Sequence, residues 1–127
     1  MNFGVLFTRE ELEVMLTIRE KRYQDLTNRN LAIIGLLIYQ GISSSELVNL
    51  TVADINLDGS VYIKGSKKTA KRILELKPNQ ILTLQRYIEI ERPKLIQTNT
   101  KKLFLTKVGV PITVDSIHAF ISSKIYS

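Results

Sequence analysis

A dense group of cationic side chains lies between positions 64 and 72. Its members are Lys64, Lys67, Lys68, Lys71 and Arg72. Ammonium and guanidinium groups bind phosphate oxygens, and an ammonium placed beside a leaving oxygen can also donate a proton to it. The stretches on either side, Val61-Tyr62-Ile63 and Arg72-Ile73-Leu74-Glu75-Leu76, are typical of antiparallel strands. The cations are therefore predicted to project together from one loop, either to do chemistry or only to clamp phosphates nonspecifically.

A second polar group follows a glycine. Ser43 and Glu46 stand three residues apart just after Gly41-Ile42, and a hydroxyl and a glutamate at this spacing can satisfy each other's free backbone N–H groups at a helix start. This pattern predicts a short helix from Ser44 to Leu50. Gly41 suits the position just past the end of the preceding helix, where a left-handed backbone costs little.

Helices are predicted on both sides of these groups. Thr8-Arg9-Glu10-Glu11 is a capping-box pattern, so a first helix is predicted over about 8–20. A second helix begins at Asp25 or Thr27 and runs to about Gln40. From Leu31 onward it is apolar nearly all round, which predicts a place at the centre of the core.

The second half of the chain adds shorter signals. Asp58-Gly59 is a turn signal after a weak strand. Pro78 suits the first position of another helix, which Pro93 should end or kink near Arg92. Leu103-Phe104-Leu105 is predicted to be extended and to be followed by a turn at Gly109-Val110-Pro111, and the last helix begins at Thr113 or Asp115. The fold class predicted is α+β and mainly α, a helical body with a small antiparallel sheet, in a single domain spanning 1–127.

Composition limits the chemistry. The chain has no cysteine and one histidine, His118, so a protein without metal or small-molecule cofactor is expected. The longest apolar run, Leu31 to Tyr39, is far short of the roughly 20 residues that cross a bilayer. The N-terminus lacks the features of a signal peptide. A cytoplasmic protein that does not contact membranes is the resulting expectation.

Charge is unevenly distributed. The net charge is +6, yet residues 1–58 carry five Lys or Arg against eight acids, whereas residues 59–127 carry thirteen against four. A basic half joined to a mildly acidic half favours a polyanionic partner. A merely solubilising surface is the alternative.

The order of these features, from about Phe7 to Ile121, resembles the front portion of the catalytic domain of tyrosine recombinases, the phage-integrase and Xer-like family. The segments that carry the likeness are Tyr39-Gln40-Gly41-Ile42, Ser43 to Leu50, Val52-Ala53-Asp54-Ile55, Ile63-Lys64-Gly65 and Leu103 to Thr113. The resemblance implies a fold like that of DNA breaking-rejoining enzymes, duplex DNA as partner, and metal-free site-specific recombination or integration. Relatives use two arginines, a lysine on a β-turn, one or two histidines and a tyrosine nucleophile.

The same resemblance implies roles for individual residues. Lys64 corresponds to the catalytic lysine, although Lys67 or Lys68 could take that role because the loop is longer than usual. The residues expected to bind DNA are Ser43, Lys67, Lys68, Lys71 and Arg72. Glu46 corresponds to an acid that helps to position catalytic groups, and its alternative role is to cap its own helix.

Two departures from the family pattern limit the expected activity. Ser43 stands where relatives carry the first arginine, and serine offers phosphate one hydrogen bond without charge. The His-x-x-Arg box is missing, since no arginine follows three residues after His118, and Tyr126 has no box before it. We therefore expect a fragment that binds duplex DNA but cannot cleave it alone, with His118 and Tyr126 outside the chemistry. The other tyrosines, Tyr23, Tyr39, Tyr62 and Tyr87, are expected to serve packing.

Two further hypotheses remain open. The second and third helices can be interpreted as a helix–turn–helix around Gly41, which would make the protein a DNA-binding regulator without enzymatic activity. Alternatively, the chain is an interaction module that self-associates or binds a missing C-terminal half through apolar surface at Ile117, Phe120 and Ile121.

Overall fold

Helices pack in pairs beside a small antiparallel sheet in the computed structural model, which describes residues 26–95 and 99–126. The helices are α1 (Thr27–Tyr39), α2 (Ser44–Asn49), α3 (Pro78–Arg86), α4 (Arg92–Leu95) and α5 (Val114–Tyr126). The strands are β1 (Ile55–Asn56), β2 (Ser60–Ile63) and β3 (Arg72–Glu75). In addition, a 3₁₀ turn (Val52–Asp54) precedes β1, and a π-helical turn (Tyr87–Glu91) joins α3 to α4. The predicted α+β, mainly helical class is confirmed. The helix predicted at 8–20 lies outside the described residues.

The sheet has the order β1-β2-β3, with both pairs antiparallel. Val61 and Ile63 are buried, whereas Tyr62 and its cross-strand partner Ile73 face solvent. This alternation follows from the two-residue period of a strand and turns one face of the sheet toward the helices. The predicted turn at Asp58-Gly59 is confirmed, and Gly59 has a φ of +136° there.

Helix α1 contributes one side to the core rather than its whole circumference. Ala32, Ile33 and Leu36 are buried, but Leu31 is 54% exposed and Ile38 68% exposed. The predicted place at the centre of the core therefore holds for one side of α1 and not for the other, because α1 packs against α3 along one stripe. Its predicted C-terminus is confirmed, with Gly41 at a φ of +63°.

The start of α1 is capped from a distance. The residue before the helix, Leu26, makes no side-chain cap. Instead the buried carboxylate of Glu91 accepts hydrogen bonds from the backbone N–H groups of Asn28 (2.8 Å) and Arg29 (3.0 Å). These are among the N–H groups that a helix start leaves without partners. A side chain from the π-helical turn thus fixes α1 in place.

Of the two outcomes predicted for Pro93, an end of the helix or a kink near Arg92, the end does not occur. The chain stays helical through Pro93 to Leu95, and the irregularity falls earlier, where the backbone N–H of Arg92 donates to the carbonyl of Tyr87, five residues back. Proline removes a helical donor, and the wider π-helical turn that precedes it accommodates the interruption. The Arg92 guanidinium then donates to the carbonyls of Thr100 and Lys102, at 2.8 and 2.7 Å.

The extended segment 103–105 passes through the core. Its side chains are 0–2% exposed. The hydroxyl of the buried Tyr87 donates to the carbonyl of Leu103 at 2.7 Å and accepts from the N–H of Leu105 at 3.1 Å. Burial raises the pKa of Tyr87 to about 12, so this hydroxyl stays protonated. The packing role predicted for Tyr87 is confirmed.

Two other tyrosines differ from expectation. Tyr39 is 54% exposed and Tyr62 is 38% exposed, so neither is a core residue. The Lys77 ammonium lies 4.6 Å from the centre of the Tyr39 ring, which gives this ring a cation–π contact at the surface. Tyr23 lies outside the described residues.

Helix α5 starts as predicted. The Thr113 hydroxyl accepts from the N–H of Ser116 at 3.1 Å, which marks Thr113 as the capping residue. Ile117 is fully buried and Phe120 and Ile121 are partly buried. The expectation that these three residues form an exposed apolar surface was thus wrong for Ile117, because α5 packs against α2. No helix within the described ranges is long and apolar enough to cross a membrane.

Candidate nucleic-acid interface

The basic loop (residues 64–71) connects β2 to β3 and closes tightly on itself. Gly65 has a φ of +82°, and a Cβ there would lie 2.6 Å from the backbone nitrogen of Lys71. The Ser66 N–H donates to the Thr69 carbonyl at 2.8 Å, while the Ser66 hydroxyl accepts from the N–H of Lys68 at 3.1 Å. Lys67 and Lys68 therefore occupy the exposed tip of a defined turn.

Glu46 of α2 ties this loop to the helical body. Its buried carboxylate accepts from the Arg72 guanidinium at 2.7 Å and 3.1 Å, in a two-oxygen, two-nitrogen pair, and from the Thr69 hydroxyl at 3.1 Å. The hydrogen bonds from Arg72 are the main cause that lowers the pKa of Glu46 to about 2, with the Ser43 N–H and Thr69 adding to it against the opposing effect of burial. The carboxylate is thus charged across the physiological range.

The capping box is also confirmed. The Ser43 hydroxyl accepts from the Glu46 N–H at 3.1 Å, and the Ser43 N–H donates to the Glu46 carboxylate at 3.0 Å. The capping role considered for Glu46 is therefore confirmed, and the same carboxylate also holds Arg72 and Thr69. Ser43 is exposed beside this pair, and its hydroxyl carries no charge.

Lys64 has a carboxylate partner. Its ammonium lies 3.1 Å from the Asp54 carboxylate; the Lys64 side chain is 49% exposed and that of Asp54 only 8%. The Asp54 carboxylate also accepts the N–H of Thr51 at 2.9 Å. The charge of Lys64 is accordingly balanced on its inner side and open to solvent on its outer side.

A shallow cleft of about 50 Å³ separates the start of α2 from the end of β2. Its lining residues are Ser43, Ser45, Glu46, Asn49, Leu50, Asp54, Ile63, Lys64, Gly65 and Ser66. The Asp54 carboxylate offsets the charge of Lys64 and the Glu46 carboxylate that of the adjacent Arg72, so the cleft itself carries little net charge. The unbalanced positive charge lies outside it, on the exposed side chains of Lys67, Lys68 and Lys71.

The structure brings the predicted residues together in part. Glu46 contacts both Ser43 and Arg72, and Lys64 and Ser43 line the same cleft. Asp54 and Thr69 were missed by sequence reasoning, although Thr51 and Asp54 repeat the capping-box spacing and so carried a signal for Asp54. No group of His, Asp or Glu that could hold a metal occurs in the described parts of the chain.

Known proteins share this arrangement of sequence and fold. A family model described as the phage integrase family matches residues 6–126. A tyrosine recombinase from Agathobacter rectalis is 32% identical over 117 residues, which are 85% of this chain and 37% of that protein. The tyrosine recombinase XerH of Campylobacter jejuni is 27% identical over 125 residues, 94% of this chain and 33% of XerH. The chain thus spans about a third of the length of these relatives.

Solved structures agree with the fold. The XerH site-specific recombinase bound to difH substrate, in a pre-cleavage complex, has a TM-score of 0.64 and 27% identity over 94% of this chain and 35% of that one. The XerA recombinase has a TM-score of 0.66 at 24% identity, over 76% of this chain and 34% of that one, a likeness of fold. With the family match over nearly its full length, the chain belongs to the phage integrase family of tyrosine recombinases.

Proposed function

We propose that this chain binds duplex DNA through the basic loop as part of site-specific DNA recombination. The observation that carries the proposal is the exposed group Lys67, Lys68 and Lys71 on a loop that Glu46 fastens to α2. A fixed loop loses little conformational entropy when it binds, and its ammonium groups can each neutralise a phosphate. The XerH structure bound to its difH substrate supports duplex DNA as the partner.

Lys64 is the best candidate for a catalytic lysine in this proposal. It directly follows the end of β2, its outer side is open, and it lines the same cleft as Ser43. Glu46 acts by positioning, because both of its oxygens are occupied by Arg72, Thr69 and Ser43. Arg72 is held in that pair, so the loop lysines supply most of the free charge for phosphate.

We further propose that the chain does not cleave DNA by itself. At the position of the family's first arginine, Ser43 is committed to capping α2. A serine cannot replace the charge and two-pronged geometry that a guanidinium presents to a phosphate. The sequence also lacks arginine three residues after His118.

Salt dependence of binding tests the role of the loop. The logarithm of the affinity for a duplex should fall linearly with the logarithm of salt concentration, and Lys67→Met with Lys68→Met should reduce the slope by about 0.9 for each phosphate that is no longer neutralised. Lys94→Met with Lys101→Met removes the same charge from exposed positions outside the loop and is the control. Binding that does not decline with salt, or equal effects of the two pairs, would contradict the proposal.

A nicked suicide duplex, which traps covalent protein–DNA adducts, tests the lack of cleavage. We expect no adduct from this chain. An adduct that disappears in Tyr126→Phe would show that the chain carries its own nucleophile and would overturn this part of the proposal.

The helix–turn–helix alternative receives little support from the geometry. Helix α2 has only six residues, contains no Lys or Arg, and packs against α5. If it read bases in the major groove, Ser45→Ala with Asn49→Ala would abolish sequence preference. If the basic loop carries the binding, the loop substitutions dominate instead.

A further inference from the structure

The pair formed by Lys64 and Asp54 sets Lys64 apart from the other lysines of the basic loop. Lys64 contacts a buried carboxylate at 3.1 Å. Lys67 and Lys68 are exposed at the loop tip, beyond Gly65. A polyanion that approaches the loop therefore meets two kinds of lysine: Lys64, whose charge is offset by Asp54, and the exposed Lys67 and Lys68.

Asp54 is held firmly where it meets Lys64. Its backbone N–H donates to the Thr51 carbonyl at 3.0 Å, and its carboxylate accepts the Thr51 N–H at 2.9 Å, within the 3₁₀ turn before β1. Lys64 directly follows Ile63, which is 1% exposed and anchors the end of β2. Both partners of the pair are therefore held in place, the Asp54 carboxylate by Thr51 and the backbone of Lys64 by the buried Ile63.

We propose that Asp54 is a positioning residue, which draws the Lys64 ammonium to the cleft and withholds its charge from nonspecific phosphate binding. This inference rests on the proposed DNA-binding function. Nonspecific attraction of the DNA backbone is then the role of the lysines beyond Gly65. Lys64 contacts a phosphate only when that phosphate lies at the cleft.

The energetic reason is the cost of separating the pair. A phosphate that pulls Lys64 away leaves the buried Asp54 carboxylate without its cation, and an uncompensated buried charge is strongly unfavourable. A phosphate that approaches without separating the pair meets a lysine whose charge is already offset. In either case Lys64 adds less to nonspecific affinity than an exposed, unpaired lysine does.

Asp54→Asn tests the inference on the intact chain. The amide keeps an oxygen for the Thr51 N–H but loses the charge that holds Lys64, so the salt slope of binding to a duplex of arbitrary sequence should steepen by about 0.9. Asp58→Asn is the matched control, because it removes the same charge from an exposed position in the turn between β1 and β2. It should leave the slope unchanged. Equal slopes for the two variants would overturn the inference.

Lys64→Met in the Asp54→Asn background links the effect to the lysine, and should return the slope to its original value. If the gain in slope persisted in this double variant, Asp54 would be acting through some other group and the inference would be wrong. Thermal unfolding of each variant establishes that it is folded.

A comparison that needs no change at Asp54 covers the case in which Asp54→Asn does not fold. In the otherwise native chain, Lys64→Met should reduce the slope by less than half as much as Lys67→Met does. Equal reductions would overturn the inference. A native chain whose binding ignores salt would instead overturn the proposed function, so the two failures are distinguishable.

Discussion

At the scale of single residues, Ser43 lies at a position to which the family resemblance and the local helix pattern assign different roles. Relatives are expected to carry a phosphate-binding arginine there, whereas this chain has a serine that caps α2. Replacing such a cap by alanine typically costs about 1 kcal/mol of stability. The capping role was predictable from Ser43 and Glu46 alone, because both partners lie within one helical turn.

The ion pair between Glu46 and Arg72 was not predictable in the same way. Its partners are 26 positions apart and meet only once α2 and the hairpin have docked. Sequence reasoning placed Arg72 among the DNA-binding residues because its neighbours are basic. Charge clustering in sequence shows which residues are near one another, but not which of them are already neutralised.

The charge on Glu46 gives a pH prediction. Its pKa falls from an ordinary value of 4.5 to about 2 on folding, so its stabilising effect is complete above pH 4.5 and is lost as the pH falls through 2. Glu46→Gln should lower the free energy of unfolding at pH 7 by about 1–3 kcal/mol. The difference from the native chain should shrink between pH 4.5 and 2.

Urea unfolding at a series of pH values measures this difference. Glu75→Gln removes an exposed carboxylate from the neighbouring strand and is the control. A stability loss in Glu46→Gln that stayed constant down to pH 2 would contradict the assignment of the low pKa to the pair with Arg72.

At the scale of elements, local patterns predicted the hairpin but not the shape of its loop. The strands follow from alternating side chains around Val61 and Leu74, which are paired in the sheet. The loop depends on the close approach of Gly65 to the backbone at Thr69 and Lys71. That approach is a three-dimensional contact with no periodic signal.

Gly65→Ala should therefore be more damaging than an alanine at another left-handed glycine. At Gly41, with a φ of +63° and no atom within 4 Å of an added Cβ, the cost is that of the backbone conformation alone, about 1 kcal/mol. At Gly65 the added Cβ also meets backbone atoms at 2.6–2.9 Å, and we expect a loss of about 3 kcal/mol.

Thermal unfolding of Gly65→Ala and Gly41→Ala provides the comparison. DNA affinity should fall as well in Gly65→Ala, because the loop that carries Lys67 and Lys68 must shift. Equal destabilisation by the two alanines would show that the loop adjusts freely and is not a rigid platform.

At the scale of the whole molecule, buried polar side chains connect segments that are far apart in sequence. Glu91 caps α1 from 62 positions away, and Arg92 fastens the segment that leads into 103–105. The helices and the order of the elements could be predicted from caps, prolines and periodicity. The buried face of α1 could not be predicted, because the helix is apolar nearly all round from Leu31 onward and only its neighbours decide which face is covered.

Glu91→Gln tests the distant cap. The amide can accept one of the two backbone N–H groups but turns its own donor toward the other, so the free energy of unfolding should fall by about 1–3 kcal/mol. Glu89→Gln, an exposed residue of the same π-helical turn, should change stability little.

Urea denaturation gives the free energy of unfolding of both variants. An unchanged slope of that free energy against urea concentration would show that the variants unfold in the same reaction as the native chain. If the two substitutions were equally mild, Glu91 would not be the group that secures the start of α1.

The π-helical turn has a consequence for insertions and deletions. A π-helical turn holds one residue more than the α-helical turn that it replaces. Deleting one exposed residue of this turn, such as Glu89, would restore regular winding and leave the helix after it in nearly the same orientation, whereas a deletion within α3 would rotate everything after it by about 100° about the helix axis. Arg92 would still point toward the carbonyls it now binds, so the loss of one residue should be tolerated better in this turn than in α3.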